Sequence, residues 1–124
     1  MITGIGTDII EIKRIEAAVK GKRFLKKCYT QAEVDRCNQS NAAASENFAG
    51  YFAAKEAVAK ALGTGFRGFS PADIEIIHDA LGKPMVRLSE NISIPKDSNI
   101  FISISHGKEH ATAVAVIDTN SQSR

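Results

Sequence analysis

The sequence has no apolar run approaching the roughly 20 residues that a membrane-spanning helix needs, so no helical span and no membrane partner are expected. The segment Met1-Ile2-Thr3-Gly4 carries neither the charged nor the apolar region of a secretion signal, and the expected location is the cytoplasm. Cysteine is scarce. Cys28 and Cys37 lack the Cys-x-x-Cys spacing of a metal site, and in a reducing compartment both are expected to be free and structural. Internal repeats and low-complexity tracts are absent, and 124 residues leave no room for two domains. What remains is one compact domain, 44% hydrophobic and 24% charged.

The net charge is only +2, yet it is unevenly spread. Lys13, Arg14, Lys20, Lys22, Arg23, Lys26 and Lys27 stand against Glu16 alone, which makes this stretch +6 and the remainder of the chain −4. Such a patch attracts nucleic acid, anionic lipid or an acidic protein, and a solvated helix face also accounts for it. Near it only Phe24 and Tyr29 could stack on bases, which weighs against nucleic acid.

The order of elements reads as α+β. Residues 1–7 form a strand whose glycines at 4 and 6 leave one face bare, with Asp8 on that face if the alternation persists, so that a ligand could approach the backbone there. A helix is expected from about Ile9 to Val19, then a basic turn. A short helix follows to about Asn38, with Thr30 as N-cap and Glu33 at N3, and a long helix from about Ala43 to Leu62 stopped by Gly63-Thr64-Gly65. Two hairpins complete the chain: 73–78 with 84–88, and 100–106 with 111–117. In the third of these strands Ile100, Ile102, Ile104 and His106 share a face.

The long helix is apolar nearly all round, yet Glu56 and Lys60 fall within about 40° of one another on it, beside the small Ala49 and Ala53. Asp8 and Glu56 are hard oxygen ligands suited to Mg²⁺, Lys60 lies one turn beyond Glu56, and His106 ends a strand. The set is read as one site for chemistry on a phosphate. Each residue also has a structural reading. Asp8 with Glu11 has the spacing of a capping pair, Glu56 with Lys60 that of an i,i+4 ion pair, and a lone strand-end histidine is commonly structural.

Three segments in this order resemble one family, the holo-acyl-carrier-protein synthases, the small bacterial type of 4′-phosphopantetheinyl transferase. They are Gly4-Ile5-Gly6-Thr7-Asp8-Ile9-Ile10-Glu11, Phe52-Ala53-Ala54-Lys55-Glu56-Ala57 with Lys60-Ala61-Leu62-Gly63, and Ile102-Ser103-Ile104-Ser105-His106, with Gly82-Lys83-Pro84 as a further match. The resemblance implies a single small α+β domain, an antiparallel sheet packed on a long helix, over 1–118; the terminal residues 119–124 are expected to form a disordered tail. It implies transfer of phosphopantetheine from coenzyme A to a serine of apo acyl carrier protein, releasing adenosine 3′,5′-bisphosphate. Asp8 and Glu56 would hold Mg²⁺, and Lys60 and His106 would complete the catalytic set. Lys60, Gly63, Lys83, Pro84 and His106 would bind coenzyme A, while Arg14 and Arg23 would dock the carrier. The serine proton would pass to a metal-coordinated water or to a carboxylate, Glu56 first. The family forms homotrimers with sites between subunits. Tyr51, Gly107 and His110 depart from its pattern: many members carry a basic residue in place of Tyr51. Two other readings stay open: a Mg²⁺-dependent phosphoanhydride hydrolase acting on coenzyme A or nucleotides, and a non-catalytic module using the basic patch alone.

Overall fold

A computed structural model describes residues 1–120. The chain runs β1 (Ile2–Glu11), α1 (Ile12–Ala18), α2 (Lys22–Cys28), α3 (Gln31–Asn38), α4 (Ala44–Leu62), β2 (Ile74–His78), β3 (Pro84–Leu88), β4 (Ser98–His106) and β5 (His110–Thr119). Three strands form an antiparallel sheet in the order β1-β5-β4, and β2 with β3 forms a separate antiparallel hairpin. The α+β architecture, an antiparallel sheet packed on one long helix, is as the sequence implies.

Small residues set the contact between sheet and helix. On β5 the inward positions Ala111, Ala113 and Ala115 are buried, and on β1 the inward positions are Gly4 and Gly6. A Cβ at Gly6 would strike the carbonyl oxygen of Ala57, and one at Gly4 that of Ala61. The bare face therefore admits the backbone of α4 and leaves no room for a ligand. On β4 the helix touches down near Gly50, where a Cβ would meet Ile104 at 2.9 Å. Thus α4 starts over β4 and ends over β1, crossing the sheet diagonally.

The first strand is longer than its composition suggests. It pairs with β5 from Gly4↔Ile117 to Glu11↔His110, so Asp8 is a mid-strand residue and no helix cap. Helix α1 begins at Ile12 with Glu11 as a cap that makes no side-chain bond. Ladder bonds along the whole of β5 outweigh the local capping pattern. The expected basic turn holds α2 instead. Helix α3 has the expected capping box, Thr30 Oγ1 accepting from the Glu33 N–H at 3.2 Å and Glu33 Oε1 from the Thr30 N–H at 2.8 Å. Helix α4 ends at Gly63 in the left-handed region, φ 85°, as its sequence requires. Thr119, placed in the tail from sequence, is the last residue of β5: it is buried and bonded to Thr3 and Ser98. Residues 121–124 of that tail lie outside the described residues.

Beneath α4 sits a buried ion pair. Lys55 Nζ donates to Glu33 Oε1 at 2.8 Å, to the Ile74 carbonyl at 2.6 Å and to that of Pro71 at 3.1 Å. Glu33 Oε2 accepts from the Ile76 N–H at 2.8 Å. This hub joins α3 and the β2 hairpin to α4.

Candidate active site

Asp8 stands two residues beyond Gly6 on the same face of β1, and Glu56 and Lys60 occupy the flank of α4 that rests on that strand. Lys60 Nζ donates to the Thr7 carbonyl at 2.9 Å and to Asp8 Oδ1 at 3.3 Å. Burial raises the Glu56 carboxyl above the usual range, the negative charge of Asp8 raises it further, and Lys60 opposes both. Two carboxylates thus lie near one ammonium, which pairs with Asp8, and the flank carries a surplus negative charge. Ala49 and Ala53 are fully buried in packing and line no open slot beside it. Among the described residues no group of three or more His, Cys, Asp or Glu side chains could enclose a metal. A cation here would complete its shell with water or substrate oxygens, the habit of Mg²⁺.

His106 does not join this cluster within one chain. Through the register Asp8↔Ala113↔Ile104, it lies two strands away across β5, with α4 between. On that second flank His106 Nδ1 is 3.4 Å from Glu46 Oε2 and borders a cavity of about 330 Å³ shared with Arg36, Tyr51, His78 and Pro84. Sequence alternation put His106 on the right face; it could not show that a helix divides that face in two.

A family model for the 4′-phosphopantetheinyl transferase superfamily matches residues 4–115. The chain belongs to this superfamily. It is 48% identical over 122 residues to the holo-[acyl-carrier-protein] synthase of Fusobacterium nucleatum, covering 94% of this chain and 99% of that protein. It is 49% identical over 124 residues to the protein of the same name from Clostridium botulinum strain Eklund 17B, covering 95% and 98%. Its fold is similar to the crystal structure of a holo-(acyl-carrier-protein) synthase from Bacillus anthracis in complex with CoA, with TM-score 0.83, 38% identity, and 97% and 99% of the two chains covered.

The remaining expected positions divide between the two flanks of this superfamily member. Gly63 caps α4 one turn after Lys60, while Pro84 borders the His106 cavity. Lys83 is exposed, its ammonium 6.0 Å from the Phe101 ring centroid. Arg14 and Arg23 are exposed on α1 and α2, as are Lys13, Lys22, Lys26 and Lys27, with Lys20 exposed in the turn between the two helices. Both cysteines are free and buried, and burial pushes the Cys37 thiol up to about 12. Sequence reasoning missed the Lys55–Glu33 hub. Its signal was a lysine inside a helix apolar on nearly every side, which must find a partner.

Proposed function

We propose that this chain transfers the 4′-phosphopantetheine group from coenzyme A to a serine of an apo acyl carrier protein, as the family membership and its relatives' names support. The observation that carries the reading is that Asp8 and Glu56 lie close enough for their charges to act on one another while the nearby ammonium, Lys60, pairs with Asp8, a surplus of negative charge that fits a hard divalent cation. Asp8 and Glu56 would hold Mg²⁺, which when bound would neutralise charge on the pyrophosphate.

The protein's own side chains supply the rest. Glu56, its carboxyl raised above the usual range by burial, accepts the serine proton as the hydroxyl oxygen bonds to the phosphorus bearing pantetheine. The phosphoanhydride bond breaks and its electron pair leaves on the phosphate of adenosine 3′,5′-bisphosphate. Lys60, with 54% of its side chain exposed, can leave the Thr7 carbonyl and meet that phosphate. His106 and Pro84, with the adjoining Lys83, would contact the nucleotide, and Gly63 would border it at the end of α4.

Because α4 separates His106 from Asp8 in one chain, we propose that a complete site forms between copies in a homotrimer. The sheet face turned away from α4 supports this: Ile5, Ile9, Phe101 and Val114 are exposed there. The catalytic domain would span residues 1–119, one residue beyond the expected boundary, because Thr119 ends β5. No helix among the described residues is long and apolar enough to cross a membrane, and we place the protein in the cytoplasm. Arg14 and Arg23, on the basic helices, would dock the acidic carrier.

The deciding experiment is mass spectrometry of an apo carrier incubated with the protein, coenzyme A and Mg²⁺. One phosphopantetheine, about 340 Da, should be added. An unmodified carrier with hydrolysed coenzyme A overturns the transferase reading in favour of a hydrolase.

A further inference from the structure

Side chains hold both of the peptides that flank the Cα of Asp8. The peptide before it presents the Thr7 carbonyl, which accepts from Lys60 Nζ at 2.9 Å. The peptide after it presents the Asp8 carbonyl, to which Thr112 Oγ1 donates at 2.8 Å, the usual length of a bond between two oxygens. A third contact ties the residue opposite Asp8 back to β1: Thr7 Oγ1 donates to the Ala113 carbonyl at a longer 3.1 Å. Strand β1 is an edge strand with β5 as its neighbour on one side, so half of its backbone groups have no ladder partner.

The two hydroxyls come from the far face of the sheet. Gly6 and Asp8 on β1, with Ala111 and Ala113 on β5, point toward α4, so Thr7 and Thr112 stand on the face turned away. There Thr112 interrupts a row that continues as Val114 and Val116, and Ile9 stands opposite it on β1. A hydroxyl among such neighbours needs a partner, and that need alone explains a bond. Its acceptor, however, is the carbonyl of Asp8. As Lys60 moves to the leaving phosphate it gives up the Thr7 carbonyl, and the hold on the first peptide goes with it. Thr112 takes no part in that movement, so its hold on the second peptide persists while the chemistry proceeds.

We propose that Thr112 is a positioning residue of the transfer reaction: its hydroxyl fixes the peptide after Asp8 and so aims the Asp8 carboxylate at the cation. This rests on the reading of Asp8 as a ligand to that cation. An Asp8 free to rock on its edge strand spreads its oxygens over more positions, which weakens the grip on an ion that demands near-octahedral geometry. Thr7, with the longer bond, supports the same alignment less strongly. Both hydroxyls lie across the sheet from the carboxylate, and neither touches the reacting atoms.

The test is the Mg²⁺ dissociation constant of the full chain, measured by calorimetric titration with coenzyme A present and no carrier. Circular dichroism and light scattering confirm the fold and assembly of each variant. Thr112→Val, which keeps the shape and removes the hydroxyl, should weaken Mg²⁺ binding about fivefold, the worth of one hydrogen bond. Thr112→Ser should stay within about twofold of the wild type, and Thr7→Val should weaken binding about twofold. A hydroxyl that serves structure alone would lower Tm in Thr112→Val and leave the Mg²⁺ constant unmoved, which overturns the positioning role. Thr112→Ser as weak as Thr112→Val assigns the effect to packing and overturns it too. Asp8→Asn separates this inference from the reading beneath it. A constant raised by Asp8→Asn but not by Thr112→Val removes the positioning role alone, whereas a wild type that binds Mg²⁺ no better than Asp8→Asn removes the cation reading and this inference together.

Discussion

Helix α4 carries two lysines five residues apart, and each meets an acid from a distant segment, with opposite results. Lys55 and Glu33 are 0% and 1% exposed. There the charges balance and every donor of the ammonium has an acceptor: one carboxylate oxygen and two carbonyls. Lys60 and Asp8 are 54% and 18% exposed, 3.3 Å apart, and Glu56 adds a second acid whose charge Lys60 offsets only in part. The first pair is a closed structural hub. The second is an incomplete charge set that calls for a further cation. Proximity of Lys to a carboxylate is common to both; completeness separates structure from function.

Breaking the closed pair should have the largest effect on stability. Lys55→Met leaves Glu33 as an uncompensated buried charge and should cost about 3–5 kcal/mol, read as a shift of the urea midpoint. Adding Glu33→Gln should recover part of the loss. A single variant as stable as the wild type would show that the hub is dispensable.

Breaking the open pair should leave the fold and remove the chemistry. Asp8→Asn and Glu56→Gln should each lower turnover by about 10²–10³-fold, or about 3–4 kcal/mol. The stability sign runs the other way. A carboxyl held above its usual range favours folding below its unfolded pKa and loses that contribution as pH rises through the folded value. Glu56→Gln should therefore raise Tm at pH 7 by up to about 4 °C, discounted for exposure, and the gain should vanish near pH 4. Added Mg²⁺ should stabilise the wild type and not this variant. A lower Tm at pH 7 would contradict the like-charge picture.

The smallest effect belongs to the exposed cations, which neither pair resembles. Arg14→Glu with Arg23→Glu should raise KM for the carrier by roughly tenfold at low salt and much less at 0.5 M, with kcat little changed. Stopped-flow measurements over a salt series check this, and a loss independent of salt would remove the docking role.

Much of the framework was legible in the residues: the Thr30–Glu33 capping box, the Gly63 stop, both hairpins, and the inward row ending at His106. Misreadings arose where local chemistry competed with distant pairing. Asp8 and Glu11 look like a cap until β5 supplies partners for the whole of β1, and Lys22–Cys28 looks like a turn until its apolar residues find the core. The sequence by itself determined which side chains share a face and that Glu56 and Lys60 stand one turn apart, because helix and strand periods are local properties of the backbone. Only the tertiary structure decided that Asp8 meets them while His106 lies across α4. The diagonal of a helix over a sheet follows from how closely glycine and alanine let two backbones approach, and that packing joins positions far apart in the chain.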